Sequence, residues 1–256
     1  MEKTFERWQA AARRAVYAMG LLRVSVALLA AILFLVAACG GGGGGNGAEV
    51  TLEEALRGMV LQPGDLPEGL LRGDELFTSN DQLVSASADP EARRAMLERW
   101  GRLLGYEITY QPSAEALGDS PVRGISVSAS LYREDEGASE SFADGAQTAE
   151  ETNWAATHAG LTDFQQEMVD AGDLADEIVW LRLTGFQPAS SGPDALVTDD
   201  LIFFRVGRER GFLRVLGSTT ETEDRRHYED RVEKWLQTLV QRVRDMLEGR
   251  GSEVEE

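Results

Sequence analysis

Apolar and polar residues alternate in short stretches between Tyr106 and Leu216, and that period-two pattern predicts strands. Tyr106 to Gln111 (YEITYQ) and Ile125 to Tyr132 (ISVSASLY) each place one residue set on one face and serines or charged residues on the other. Phe164, Gln166 and Met168 mark a further strand. The strongest are Ile178 to Leu183 (IVWLRL), Leu201 to Val206 (LIFFRV) and Phe212 to Leu216 (FLRVL), the last two joined by the glycine-flanked hairpin loop Gly207 to Gly211. Two stretches follow a three-four period instead. From Asp89-Pro90, an N-cap acid followed by proline at the first helical position, Met96, Trp100, Leu103 and Leu104 share a face as far as Gly105. From Thr220, Tyr228, Val232, Trp235, Leu236, Leu239, Val240, Val243, Met246 and Leu247 form a stripe more than five turns long. Residues 137–157 carry a thinner stripe, Phe142, Ala146 and Ala149, interrupted by Gly145.

Strands that follow one another without a helix between each pair predict antiparallel pairing. The expected fold is α+β: an antiparallel sheet of five to seven strands packed against the long C-terminal helix and one or two others. It occupies residues 49–250, with 251–256 as an acidic tail.

The N-terminal part follows a different pattern. Arg23 is the last charge before fifteen residues, Val24 to Ala38, that are apolar apart from one serine. As a helix this run spans about 22 Å, short of a hydrocarbon core of about 30 Å. A basic start, a short apolar run and small residues at its end fit an export signal over residues 1–38. A plain cleaved signal and an uncleaved anchor share those features. The tetrapeptide Val36-Ala37-Ala38-Cys39 resembles the lipobox of bacterial lipoproteins. That resemblance implies a cut between Ala38 and Cys39, diacylglycerol on the Cys39 thiol, and an acylated (palmitate-type) new N-terminus. Two or more acyl chains give stable anchoring where one does not. Gly40 to Gly45 satisfy a dinucleotide-binding spacing only because polyglycine satisfies any such spacing; no strand precedes them. They fit a flexible tether over residues 39–48.

Charge sharpens the division. The chain has 25 Lys+Arg and 44 Asp+Glu; residues 1–38 hold five of the bases and two of the acids, which leaves 20 against 42 beyond them. So acidic a domain is a poor partner for nucleic acid. With one cysteine there is no intrachain disulfide and no cysteine-based zinc site.

No catalytic motif stands out. His158 and His227 lack metalloprotease spacing and read as surface residues. Gly124-Ile125-Ser126-Val127-Ser128 lacks the second glycine of a nucleophile elbow. Asp170, Asp173, Asp176 and Glu177 cluster without EF-hand spacing. Gln187 to Asp200 reads as a loop of fourteen residues, with Asp194, Asp199 and Asp200 as candidate surface contacts. Trp100, Trp154, Trp180, Trp235, Phe203 and Phe204 are the aromatics available to line an apolar cavity.

The segments "DLPEG" (Asp65 to Gly69), "GDLADE" (Gly172 to Glu177) and "FFRVGRERGFLRV" (Phe203 to Val215) resemble exported PsbP-like α/β sandwich domains of G+C-rich bacteria. That resemblance implies a fold more than an activity. The resulting expectation is a non-enzymatic, lipid-anchored binding or sensory domain on the extracytoplasmic face of the cell membrane, held there through Cys39, needing no cofactor. Its partner would be a protein or a hydrophobic ligand. A carrier with a cavity between sheet and helices is the alternative, and a carboxylate-dependent hydrolase the third reading.

Overall fold

A computed structural model describes residues 50–249, apart from 119, 190–192 and 221. The signal, Cys39, the glycine tether and the acidic tail lie outside the described residues. In chain order the elements are α1 (Leu52–Gly58), a 3-10 turn (Pro63–Asp65), β1 (Leu70–Thr78), α2 (Asn80–Ser85), α3 (Pro90–Trp100), β2 (Arg102–Pro112) and β3 (Val122–Tyr132). Then come α4 (Asp135–Glu151), α5 (Trp154–Thr157), β4 (Thr162–Val169), β5 (Glu177–Gln187), β6 (Ala195–Val206), β7 (Glu209–Thr219) and α6 (Thr222–Leu247).

The strands form one seven-stranded sheet in the order β1-β2-β3-β7-β6-β5-β4, antiparallel throughout. The protein is therefore α+β, with the sheet at the upper end of the expected strand count. One face of the sheet carries Ile108, Ile125, Val127, Leu213, Val215, Ile202, Phe204 and Trp180. The α6 stripe (Tyr228, Val232, Trp235, Leu236, Leu239, Val240, Val243) closes over that face and is buried throughout. Each such large side chain contributes about 1.5–3 kcal/mol by leaving water. Asp65 ties the N-terminal segment to this helix by accepting from Arg242 Nε and Nη2, both at 2.9 Å.

The opposite face is covered unevenly. α4 and α5 lie over β5, β6 and β7, where Leu181, Leu183 and Leu201 pack with Trp154, Phe164, Phe203 and Phe212. α2, α3 and the start of α4 form a smaller cluster of Val84, Leu97, Trp100, Tyr132 and Ala138. Between these patches, residues of β2, β3 and β7 on this face, such as Thr109, Ser126, Ser128 and Ser130, are half-buried.

Two boundaries differ from the sequence pattern. α3 is capped at its start by Asp89, whose carboxylate accepts from Ala92 N at 3.0 Å, but it stops at Gly101 with φ +64°. The left-handed residue ends the helix one turn before Gly105, so Leu103 and Leu104 belong to β2. β1 has no counterpart in the pattern. It is an exposed edge strand whose register shifts between Arg72 and Glu75, and Gly73-Asp74 at that irregularity breaks the alternation.

Candidate functional site

Residues Asp199 and Asp200 are not on a loop. β5 runs to Gln187 and β6 begins at Ala195, so the connection is half the expected length, and both aspartates are fully buried within β6. Consecutive strand residues face opposite sides of a sheet, and the two carboxylates do so. Asp200, on the α6 side, accepts from Trp180 Nε1 (2.6 Å), Arg182 Nε (2.8 Å) and Tyr228 Oη (2.9 Å). Arg182 continues to Glu229 at 2.9 Å, which also takes Arg225 at 2.9 Å. Asp199, on the other side, accepts from Arg214 Nε (2.8 Å) and Nη2 (2.6 Å), and lies 3.3 Å from His158 Nε2.

The two sites titrate in opposite directions. Burial raises the Asp199 carboxyl, but the paired Arg214 guanidinium and His158 outweigh it and hold the group below the usual aspartate range. At Asp200 burial wins over Arg182, Trp180 and Tyr228, and the carboxyl is raised. Burial, then the Asp200 charge, pushes the Tyr228 phenol well up. Each carboxylate has its charge answered inside the fold, which makes both clusters internal fixtures of the sheet.

His158 is likewise buried, against the surface position expected for it, because α5 turns its ring inward towards Asp199. Exposed His227 matches expectation. Asp194 is exposed, and its carboxylate accepts from Ala189 N at 2.9 Å, closing the β5–β6 connection. Of the acidic cluster, Asp176 and Glu177 both pair with Arg205. The six aromatics do not converge. Trp180 and Phe204 sit under α6, which itself supplies Trp235; Trp154 and Phe203 lie on the far side of the sheet, and Trp100 belongs to the α2–α3 cluster.

A group of residues unmarked by the sequence pattern is brought together where α3 and α4 meet the half-covered strands. Arg102 is 8% exposed and donates to Thr78 O (3.0 Å) and Asn80 Oδ1 (3.0 Å), with Ser130 Oγ at 3.5 Å. Arg210, half-buried on β7, donates to Ser141 Oγ at 3.1 Å, and Ser141 Oγ is 2.7 Å from Tyr132 Oη. Arg93, half-buried on α3, has its guanidinium 6.0 Å from the Trp100 ring centre. The three charges act on one another. Burial, reinforced by Arg93 and Arg210, brings Arg102 down to about 10. Arg93 is lowered by burial, with Arg210 adding to the shift and Asp144 opposing it.

Among the described residues, none of these three arginines makes a salt bridge. Glu107, on β2, is half-buried and raised by burial alone. Two glycines in regular structure make the room. A Cβ on Gly105, inside β2, would overlap the Arg102 guanidinium, and one on Gly145, inside α4, would overlap that of Arg210. Glycine in a helix interior costs about 1 kcal/mol relative to alanine, so Gly145 is there against the local preference of the chain.

The chain matches no family profile and no curated protein. Among solved structures it is similar to the extracellular domain of PknH from Mycobacterium tuberculosis, at 9% identity and a TM-score of 0.42, covering 79% of this chain and 100% of that one. At that level the likeness assigns nothing to this chain. Among the described residues, no helix is long and apolar enough to cross a membrane.

Proposed function

We propose that the protein is a lipid-anchored, extracytoplasmic binding or sensory domain that carries out no catalysis of its own. The observation that carries this reading is Val36-Ala37-Ala38-Cys39 at the end of a basic-then-apolar segment, followed by six glycines and then by the folded domain. Diacylglycerol on Cys39 supplies the membrane attachment that a strongly acidic domain cannot obtain from anionic headgroups.

One feature supports binding over chemistry. The buried carboxylates at Asp199 and Asp200 are already matched by Arg214 and Arg182, so neither is free to serve a hydrolytic reaction. The carrier alternative draws no support from the aromatic residues, which are divided between the two faces of the sheet.

The test is production of the full chain and of Cys39→Ser in a bacterium, with membrane fractionation and mass spectrometry of the N-terminal peptide. The wild type is expected in the membrane fraction, beginning at Cys39 and carrying the added mass of its acyl chains. Cys39→Ser should accumulate at precursor size. A wild-type chain that starts elsewhere, or whose Cys39 peptide has no added mass, overturns the anchoring.

A further inference from the structure

We propose that the side-chain cluster where α3 and α4 meet strands β2, β3 and β7 binds a phosphate group through Arg93, Arg210 and Arg102, aided by Ser130. The inference rests on the reading of this domain as a binding module and gives it a ligand class.

The first ground is the imbalance of charge. Beyond residue 38 carboxylates outnumber bases about two to one, 42 to 20, so an arginine on this domain has acids available in excess. Arg182, Arg205, Arg214 and Arg242 each use them. Arg93, Arg102 and Arg210 do not, although each is at least half-buried and each pair is close enough for like-charge repulsion to be felt. Asp144 is the one carboxylate that acts on Arg93, from beyond ion-pair distance, with the Tyr132 phenol adding to it. A cluster of unanswered guanidinium groups destabilises the empty protein, and an anion removes that penalty.

The second ground is the way the guanidinium groups are held. Arg102 spends two of its bonds on Thr78 O and Asn80 Oδ1, which fix the plane of its fork. Arg210 is steadied by Ser141, itself bonded to Tyr132. Gly105 and Gly145 open the space that both forks occupy. Planar forks with fixed orientation suit an oxyanion, and three positive charges suit a phosphate dianion better than a single carboxylate. The half-exposed Arg93, Arg210 and Ser130 leave an approach for the ligand. That phosphate could be a free solute or the head of a membrane lipid; the recognition chemistry is the same.

The test uses the full chain extracted in neutral detergent, and compares wild type with Arg93→Met and Arg210→Met. Thermal unfolding is followed with sodium phosphate, with sodium chloride at matched ionic strength, and in micelles with or without phosphatidic acid. The wild type is expected to gain stability saturably with phosphate or with phosphatidic acid and not with chloride. Response to inorganic phosphate assigns the site to a soluble ligand; response only to phosphatidic acid assigns it to a lipid headgroup. In either variant the half-saturating concentration should rise about tenfold or more. Without ligand, the variants should melt at or above the wild-type temperature, because one like charge is gone. A purely structural arginine predicts the reverse. No ligand response in the wild type, an equal response in all three proteins, or ligand-free variants that melt well below it overturn the site. The lipid mass on Cys39 is measured on the same samples, so loss of the phosphate site and loss of the anchor are told apart.

Discussion

Asp199 and Asp200 are neighbours in β6, yet their carboxylates are answered from opposite sides of the sheet, by Arg214 on one face and Arg182 on the other. Arg182 stands directly opposite Asp200 in the ladder. Arg214 lies diagonally across from Asp199, two positions along from its partner Leu216. The pair pins the registers of β5, β6 and β7 against one another, because a one-residue slip would present each carboxylate to the wrong face.

Breaking one side of that arrangement should be costly. Asp199→Ala leaves Arg214 and His158 facing an empty acceptor position in the interior, and a loss of about 3–5 kcal/mol is expected in urea unfolding. Replacing both charges with apolar residues, Asp199→Leu with Arg214→Met, should recover most of it. The pH dependence has a definite sign. The folded carboxyl is held below the ordinary 3.8, so its contribution is full above that value and is lost as pH falls through the lower folded one. Acid unfolding of Asp199→Asn should therefore be shallower than that of the wild type below pH 4.

Glu209 behaves in the opposite way. Its side chain is fully buried at the start of β7 and neither oxygen has a hydrogen-bond partner of ordinary geometry. Burial pushes its carboxyl well above the ordinary 4.5, against weaker pulls from Arg210 and the Ser130 amide. The folded protein keeps this proton where the unfolded chain has released it. Its contribution is thus full below 4.5 and is lost as pH rises through the folded value. Glu209→Gln is expected to exceed the wild type by about 1–3 kcal/mol at pH 8 and to approach it at pH 4, measured by chemical denaturation at both values.

Much of this was readable in the chain, and the misses have physical causes. The C-terminal helix announces itself because burial on one face imposes a period, and the apolar strands do so because burial on both faces makes a near-continuous apolar run. Asp199 and Asp200 read as loop residues because two adjacent acids ahead of an apolar run look like a turn. The correcting signal was in the other strands: Arg182 in "LRL" and Arg214 in "LRV" are lone arginines inside strong strands, and a carboxylate is the usual answer to a guanidinium held inside a sheet. Gly105 and Gly145 carried a similar message. Glycine in the middle of a strand or helix marks a close approach, but nothing local tells which side chain approaches.

Gly145 offers a direct test of that reading. Helix propensity alone predicts that Gly145→Ala stabilises α4 by about 1 kcal/mol. The Arg210 guanidinium occupies the space the new methyl group needs, so in the wild-type background the substitution should be neutral or destabilising. In an Arg210→Met background the flexible thioether can move aside, and the full propensity gain of about 1 kcal/mol should appear. A double-mutant cycle by thermal and urea unfolding reads the difference.

The contact between Asp65 and Arg242 decides how firmly the N-terminal segment sits on the domain. Asp65 accepts two bonds from Arg242 at 2.9 Å and one from Gln62 N at 2.7 Å, and its side chain is only 15% exposed. It stands between the 3-10 turn and the last third of α6, and α1 packs beside the same helix. Asp65→Ala removes all three bonds and leaves the Arg242 fork without an acceptor, so a loss of about 1.5–3 kcal/mol is expected. The loss should be local before it is global. α1 is anchored mainly by Leu56, Met59, Val60 and Leu61, and without the Asp65 latch its amides should exchange with solvent faster than those of β6 and β7. Hydrogen exchange of the variant against wild type checks this. Equal acceleration in α1 and in the central strands would mean that the segment unfolds only with the whole domain. Acceleration confined to 51–66 would mean that the stretch between the glycine tether and the sheet opens on its own while the sheet stays folded.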